Sequence, residues 1–281
     1  MTIYKSEAGA RLLRERYLGA LRAWPVPHEE VRVPTPAGET FVLVSGPESA
    51  PPLVLLHGSG SNSAEWAERM PELAGAFRVY AVDVIGEPGL SAEARPPLEG
   101  DRYAAWLDAV LDHFALARAA FLTSSFGGWL ALDYAIRRPE RVTALALRCP
   151  IGLGPMKKGF VVKAVLLGLL GEKGRRKSVA GALGEPESSP IVEHQLLVAA
   201  NYRYRTGPFP VFGDAALGGL TMPVYAVAGA ADAMVDSATT KRRLEAAGAE
   251  VDLLPGAGHY LPDARDLEFL TRAVANGDFT G

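Results

Sequence analysis

From Val31 onward the chain alternates short aliphatic and β-branched runs with helix-length amphipathic segments, and few architectures accept that alternation. Runs such as "PPLVLLHG", "FRVYAVDV", "RAAFLTS", "RVTALALRC" and "PVYAVAG" are apolar on both alternating faces, so both faces need cover. Helices between successive strands supply that cover and are long enough to return the chain for parallel pairing. The expected fold is therefore α/β, a mostly parallel twisted sheet flanked by helices. "VRVPTPAG" and "ETFVLVSG" read as an opening hairpin, and "AEVDLLPG" as the last strand. Helices are expected over residues 63–75, 101–114, 126–138, 236–247 and 264–275. Upstream, Leu13, Tyr17, Leu21 and Trp24 recur at helical spacing and predict an amphipathic docking helix.

The alternation stops after "RCPIGLGP" and resumes at Met222. Residues 1–150 and 221–281 are thus expected to form one core, with 151–220 a mainly helical cap inserted after a strand. In open parallel sheets ligands bind at the carboxyl edge, where such an insertion would lie. Its "KGRRK" at 173–177 reads as a solvated loop.

Composition removes several function classes. A net charge of −3 with no long basic stretch gives no footprint for nucleic acid. The single cysteine, Cys149, rules out an intrachain disulfide framework and fits a reducing compartment. The most apolar stretch, "GFVVKAVLLGLLG" at 159–171, contains Lys163 and is shorter than the roughly 18 residues of a membrane span. A soluble cytoplasmic protein acting on a small molecule, with no membrane partner, is expected. No GxGxxG, Walker-type loop or metal-ligand spacing is present, so neither cofactor nor metal is expected.

The chemistry gathers at "FLTSSFGGW", residues 121–129. A serine on a sharp strand-to-helix turn stands clear of the sheet, and small residues are needed two places to either side. Ser125 has Thr123 and Gly127 there, whereas Ser124 would have Leu122 and Phe126. Such a junction can also do no more than cap a helix, so the reading depends on partners at other strand ends. A serine hydroxyl needs a base, and of five histidines His259, in the glycine-rich loop "LLPGAGHYLPD", is best placed. His28, His113 and His194 read as surface or interface residues, and His57 as ordering its own turn.

Asp232, after the strand "PVYAVAG", falls in the order Ser, Asp, His and would orient the base, while Asp236 reads as a helix cap. In "LLHGSGSNSAEW" the N–H of Ser59, with that of Phe126, would form an oxyanion hole. Losing one such donor costs about 3 to 4 kcal/mol of transition-state stabilisation. Trp66 and Trp129 are expected to shape an apolar substrate pocket. Asp83 is expected to fix its loop, and Cys149 to be a buried small apolar residue.

These residues resemble the α/β-hydrolase superfamily, and more narrowly bacterial carboxylesterases of the naproxen-esterase type. The resemblance lies in "SEAGA" and "AWPVPHEEV", "VSGPESAPPLVLLHG", "DVIGEPGLS", "SFGGW" with "RRPERV", and "GAGH". It implies a cofactor-free serine esterase acting through an acyl-enzyme, with Ser125, Asp232 and His259 at the triad positions and an apolar ester as substrate. The polar "HGSGSNS" is similar instead to loops of carbon–carbon bond hydrolases of ring-fission products. A biosynthetic enzyme or a non-catalytic ligand-binding member of the fold are the other readings.

Overall fold

The computed structural model describes residues 2–275 apart from 158, 160–165, 168 and 263. Its eight-stranded sheet has the order β1-β2-β4-β3-β5-β6-β7-β8. The strands are β1 His28–Val33, β2 Thr40–Ser45, β3 Pro52–Leu56, β4 Arg78–Val82, β5 Ala119–Ser124, β6 Val142–Arg148, β7 Val224–Gly229 and β8 Glu250–Leu254. β2 pairs antiparallel with both β1 and β4, and every later pairing is parallel.

β1 starts three residues before the expected Val31 and stops at Val33. Pro34 has no N–H for the ladder, and Thr35 to Gly38 close a turn in which Gly38 has φ +112° and donates to Thr35 O at 3.0 Å. Elsewhere the alternation is realised strand for strand.

Alternate strand residues feed two cores. Val54 and Leu56 of β3 join a cluster with Trp106, Leu107, Trp129 and Leu130, covered by α3 (Arg102–His113) and α4 (Phe126–Arg137). Leu53 and Leu55 face the other way, toward Tyr17 and Leu21 of α1 (Glu7–Arg22), Leu73 of α2 (Met70–Ala76), and Phe269 and Leu270 of the Asp266–Ala275 helix. The predicted N-terminal helix thus docks as its spacing requires, with Ser6 as cap accepting from Gly9 N–H.

Between β6 and β7 the described residues hold the helices Gly171–Leu183, Pro190–Asn201 and Asp214–Gly218, and no strand beyond isolated bridges. The "KGRRK" run is helical, not a loop: Gly174 is buried with Leu167 O where a Cβ would sit, and Lys173, Arg175 and Lys177 are exposed along the helix. Leu166, Leu169 and Leu170 are exposed, whereas Lys163 lies outside the described residues. Among the described residues no helix is long and apolar enough to cross a membrane.

Because β3, β5, β6, β7 and β8 run parallel, their carboxyl ends share one edge. The loops that leave it begin at His57, Ser125, Cys149, Ala230 and Pro255.

Candidate active site

β5 ends at Ser124 and α4 begins at Phe126, so Ser125 alone makes the junction, with φ +48° and ψ −107°. That strained conformation is over-determined by its surroundings. Ser125 N–H donates to Arg148 O at 2.8 Å, and Ser125 O accepts from Gly128 and Trp129 N–H. Gly127 is obligatory, since a Cβ there would lie 2.2 Å from Leu56 O. The threonine in the usual place of the first glycine is buried, with its Oγ1 3.5 Å from Ala146 O. A Cβ on Gly128 would be in ordinary contact with Thr123 Oγ1, at 3.5 Å, and tighter against Pro150 Cβ, at 3.1 Å.

His259 Nε2 lies 3.0 Å from Ser125 Oγ, and its Nδ1 lies 2.7 Å from Asp232 Oδ2. Asp232 is buried, and its Oδ1 accepts the N–H groups of Met234 and Val235 at 2.7 and 3.0 Å. Burial pushes this carboxyl up, but the hydrogen bond and charge of His259 and those two N–H groups outweigh it and hold it below the ordinary aspartate value. Asp236 instead caps the Ser237–Ala246 helix, accepting from Thr239 N–H.

The His259 loop is fixed by close backbone packing. A Cβ on Gly229 would overlap Gly258 O, and one on Gly258 would lie 2.4 Å from Gly184 Cα, at the end of the Gly171–Leu183 helix. Tyr260 N–H donates to Leu183 O at 3.0 Å. Arg148 adds a clamp absent from the sequence reading. Its guanidinium donates to Leu261 O, Pro262 O and buried Asp266, which also takes a bidentate pair from Arg69. The signal was an arginine ending the apolar run "ALALR", since a buried cation needs a buried anion.

Cys149 is buried beside the relay with φ +42°, and burial pushes its thiol up to about 12. Its sulfur and the nearest atoms of Asp232 and His259 lie within 4.8 Å of one another. The histidine and aspartate donors are already engaged with each other, Ser125 and backbone N–H groups, which leaves little for a metal.

The turn after β3 passes directly beside Ser125, for a Cβ on Gly58 would stand 3.5 Å from Ser125 Cβ. His57 Nε2 accepts Val84 N–H at 2.9 Å, so Nδ1 carries the proton and donates to Gly58 O at 2.8 Å. Gly58 N–H donates to Glu65 and Gly60 N–H to Glu87. Among the described residues neither Ser59 N–H nor Phe126 N–H has a hydrogen-bond acceptor. Asp83 ties the neighbouring loop together, accepting from Tyr17 OH, Ser63 N–H and Oγ, and Leu90 N–H.

Trp66 and Trp129 differ from the expectation of a pocket wall. Trp66 is 3% exposed in the core under α1, and Trp129 is 1% exposed, stacked on Phe212 and donating to Pro210 O. Their large apolar rings fill the two cores on opposite faces of the sheet. His28 begins β1, His113 ends α3, and His194 lies in the Pro190–Asn201 helix, all apart from the relay.

The chain and its fold have counterparts among known proteins. Carboxylesterase YbfK of Bacillus subtilis is 27% identical over 270 residues, covering 91% of this chain and 89% of its own. The crystal structure of that protein, CesB (YbfK), superposes with a TM-score of 0.80 at 25% identity over 98% of this chain and 99% of its own. Naproxen esterase (carboxylesterase NP) from the same organism gives 0.77 at 26% identity, covering 96% of each chain. A 2-hydroxymuconate semialdehyde hydrolase of Pseudomonas sp. is 38% identical over 116 residues, but only 39% of this chain and 40% of that protein are matched. The model of the alpha/beta hydrolase family matches residues 53–272, more than half of the chain, and the chain belongs to that family.

Proposed function

We propose that the protein is a serine hydrolase that cleaves carboxylic esters through an acyl-enzyme. The carrying observation is the continuous relay from Ser125 Oγ to His259 Nε2 at 3.0 Å and from His259 Nδ1 to Asp232 at 2.7 Å. In this reading His259 takes the Ser125 proton as the hydroxyl attacks the ester carbonyl, then gives it to the departing alkoxide. A water, activated by the same imidazole, releases the acid. Asp232 keeps the proton of neutral His259 on Nδ1 and stabilises the imidazolium, which suits a carboxyl held below its ordinary value. The N–H groups of Ser59 and Phe126 receive the charge of the tetrahedral intermediate.

The segment 151–220 is read as a cap over this edge of the sheet. It meets the site at Gly184, against Gly258, and at Tyr204, whose ring lies where a Cβ of Gly60 would sit. Residues of this segment, not Trp66 or Trp129, are the proposed walls of an apolar ester pocket.

Carbon–carbon hydrolysis of ring-fission products is a second reading, favoured by the polar "HGSG" turn and the partial match to 2-hydroxymuconate semialdehyde hydrolase. One experiment separates the two. Short-chain and aryl p-nitrophenyl esters are assayed beside a panel of ring-fission dienoates, each with wild type and Ser125→Ala. Faster turnover of esters, lost in Ser125→Ala, is expected; much faster turnover of dienoates would replace the ester reading.

A further inference from the structure

Glu87 is fully buried in the "GEPG" loop after β4, away from the Ser125–His259–Asp232 relay. Its Oε2 accepts Gly60 N–H at 2.6 Å and Tyr202 OH at 2.6 Å, and Ser59 Oγ lies 3.3 Å away. Its Oε1 is buried and has no hydrogen-bond partner among the described residues. Two of the three successive N–H groups of the turn are therefore taken by carboxylates, Gly58 by Glu65 and Gly60 by Glu87, and only the middle one remains unengaged.

This pattern has a mechanical meaning. Without fixed partners on either side, the peptides of a glycine-rich turn can rotate and present a carbonyl oxygen where Ser59 N–H now points. A carbonyl there would repel a developing oxyanion. Glu65 is exposed and exchanges with water, whereas Glu87 is sealed from it and is the stronger of the two anchors.

The other end of the anchor is the segment between β6 and β7. Tyr202 directly follows the Pro190–Asn201 helix and is fully buried, with its ring edge-on to Tyr204 at 5.0 Å. Gly60 has φ +73°, and a Cβ there would lie 2.6 Å from Tyr204 Cε1. Arg95 stacks over Tyr202 at 5.1 Å and holds Gly86 O at 3.0 Å, which ties the Glu87 loop to the same residue.

We propose that Glu87 is a positioning residue for ester turnover: it fixes the Gly60 peptide so that Ser59 N–H faces the reacting carbonyl, and through Tyr202 it locks that turn to the 151–220 segment. The inference rests on the assignment of Ser59 as an oxyanion donor. Burial also pushes the Glu87 carboxyl above the ordinary glutamate value, against the opposing hydrogen bonds from Gly60 and Tyr202.

The test compares Glu87→Ala, Glu87→Gln and Tyr202→Phe by kcat and KM on a p-nitrophenyl ester, by affinity for an alkylboronic acid that forms a tetrahedral anion on serine, and by Tm. Glu87→Ala is expected to lower kcat roughly 10- to 100-fold and weaken boronate binding in parallel, with KM changed by less than about twofold. Glu87→Gln, whose amide oxygen can accept both hydrogen bonds, is expected to recover most of the loss, and Tyr202→Phe to fall between. An unchanged kcat in folded Glu87→Ala, or a loss confined to KM, overturns the proposal. If Glu87→Ala does not fold, Tyr202→Phe decides, and wild-type kcat and boronate affinity in that variant overturn it. Fluorophosphonate labelling of the wild type keeps the two levels apart. A protein unlabelled at Ser125 and inert to esters overturns the functional reading and this inference with it, whereas a labelled, active protein indifferent to the Glu87 variants overturns this inference alone.

Discussion

The turn at Ser125 and the turn at Gly58 to Gly60 stand side by side at the ends of neighbouring strands, yet they are held by different means. The first is held by backbone sterics. Ser125 has a positive φ, Gly127 lies against Leu56 O, and the small residues that permit this approach fall within the short run "SSFGG". The second is held by side-chain hydrogen bonds: Glu65 and Glu87 accept from Gly58 and Gly60 N–H, and the imidazole of His57 accepts from Val84 N–H. The difference teaches that backbone sterics leave a trace in a short stretch of sequence, the glycines after Ser125, whereas a side-chain anchor such as Glu87 leaves none near the turn it holds.

The largest effect expected from disturbing either turn is on the hydroxyl itself. Ser125→Ala should lower ester turnover on the order of a millionfold with the fold intact, while Ser124→Ala keeps most of it; steady-state kinetics beside circular dichroism checks both. Next, Asp232→Asn should lower kcat about ten-thousandfold by allowing the wrong imidazole tautomer, with KM little changed.

Gly127→Ala probes the sterically held turn directly. With Leu56 O in the way of its Cβ, it should cost about 3 kcal/mol in denaturant unfolding, and Gly128→Ala, which meets Pro150 Cβ at 3.1 Å, distinctly less. Equal costs would break the claim that Gly127 is obligatory while Gly128 has neighbours that can give way.

The effect of pH follows from the sign of the Asp232 shift. A carboxyl whose folded value lies below its unfolded one stabilises the fold above the unfolded value, about 3.9 for aspartate, and loses that contribution as pH falls through the folded value. The Tm gap between wild type and Asp232→Asn should therefore be steady near neutrality and narrow below about pH 4. The smallest effect is expected at Cys149, whose buried thiol is pushed up to about 12. An iodoacetamide-treated sample at pH 8 should keep its activity and mass, because the thiolate is scarcely populated.

The fold was legible because each central strand is apolar on both faces, and no other burial satisfies such runs; the limits of β1 shifted, at Pro34, and "KGRRK" is helical. Ser125, His259 and Asp232 could be picked out because glycines and turns mark where parallel strands end. Arg148 and Glu87 were not assigned roles, since each works through partners more than twenty residues away and leaves no local periodicity. Trp66 and Trp129 were misplaced for the converse reason: an aromatic near a catalytic motif in sequence has the same spacing whether its ring faces a pocket or a core. Between β6 and β7 the sequence indicated helices but not their ends, because Gly184 and Tyr202 are set by what they meet on the sheet edge.

Peptide mapping after treatment with a fluorophosphonate tests the central claim most directly. A single adduct on the peptide containing Ser125, formed as ester turnover is lost, retained in Ser124→Ala and absent in Ser125→Ala, is the predicted result. An adduct on Ser124 or on a residue outside this turn, or undiminished turnover in Ser125→Ala, would contradict it.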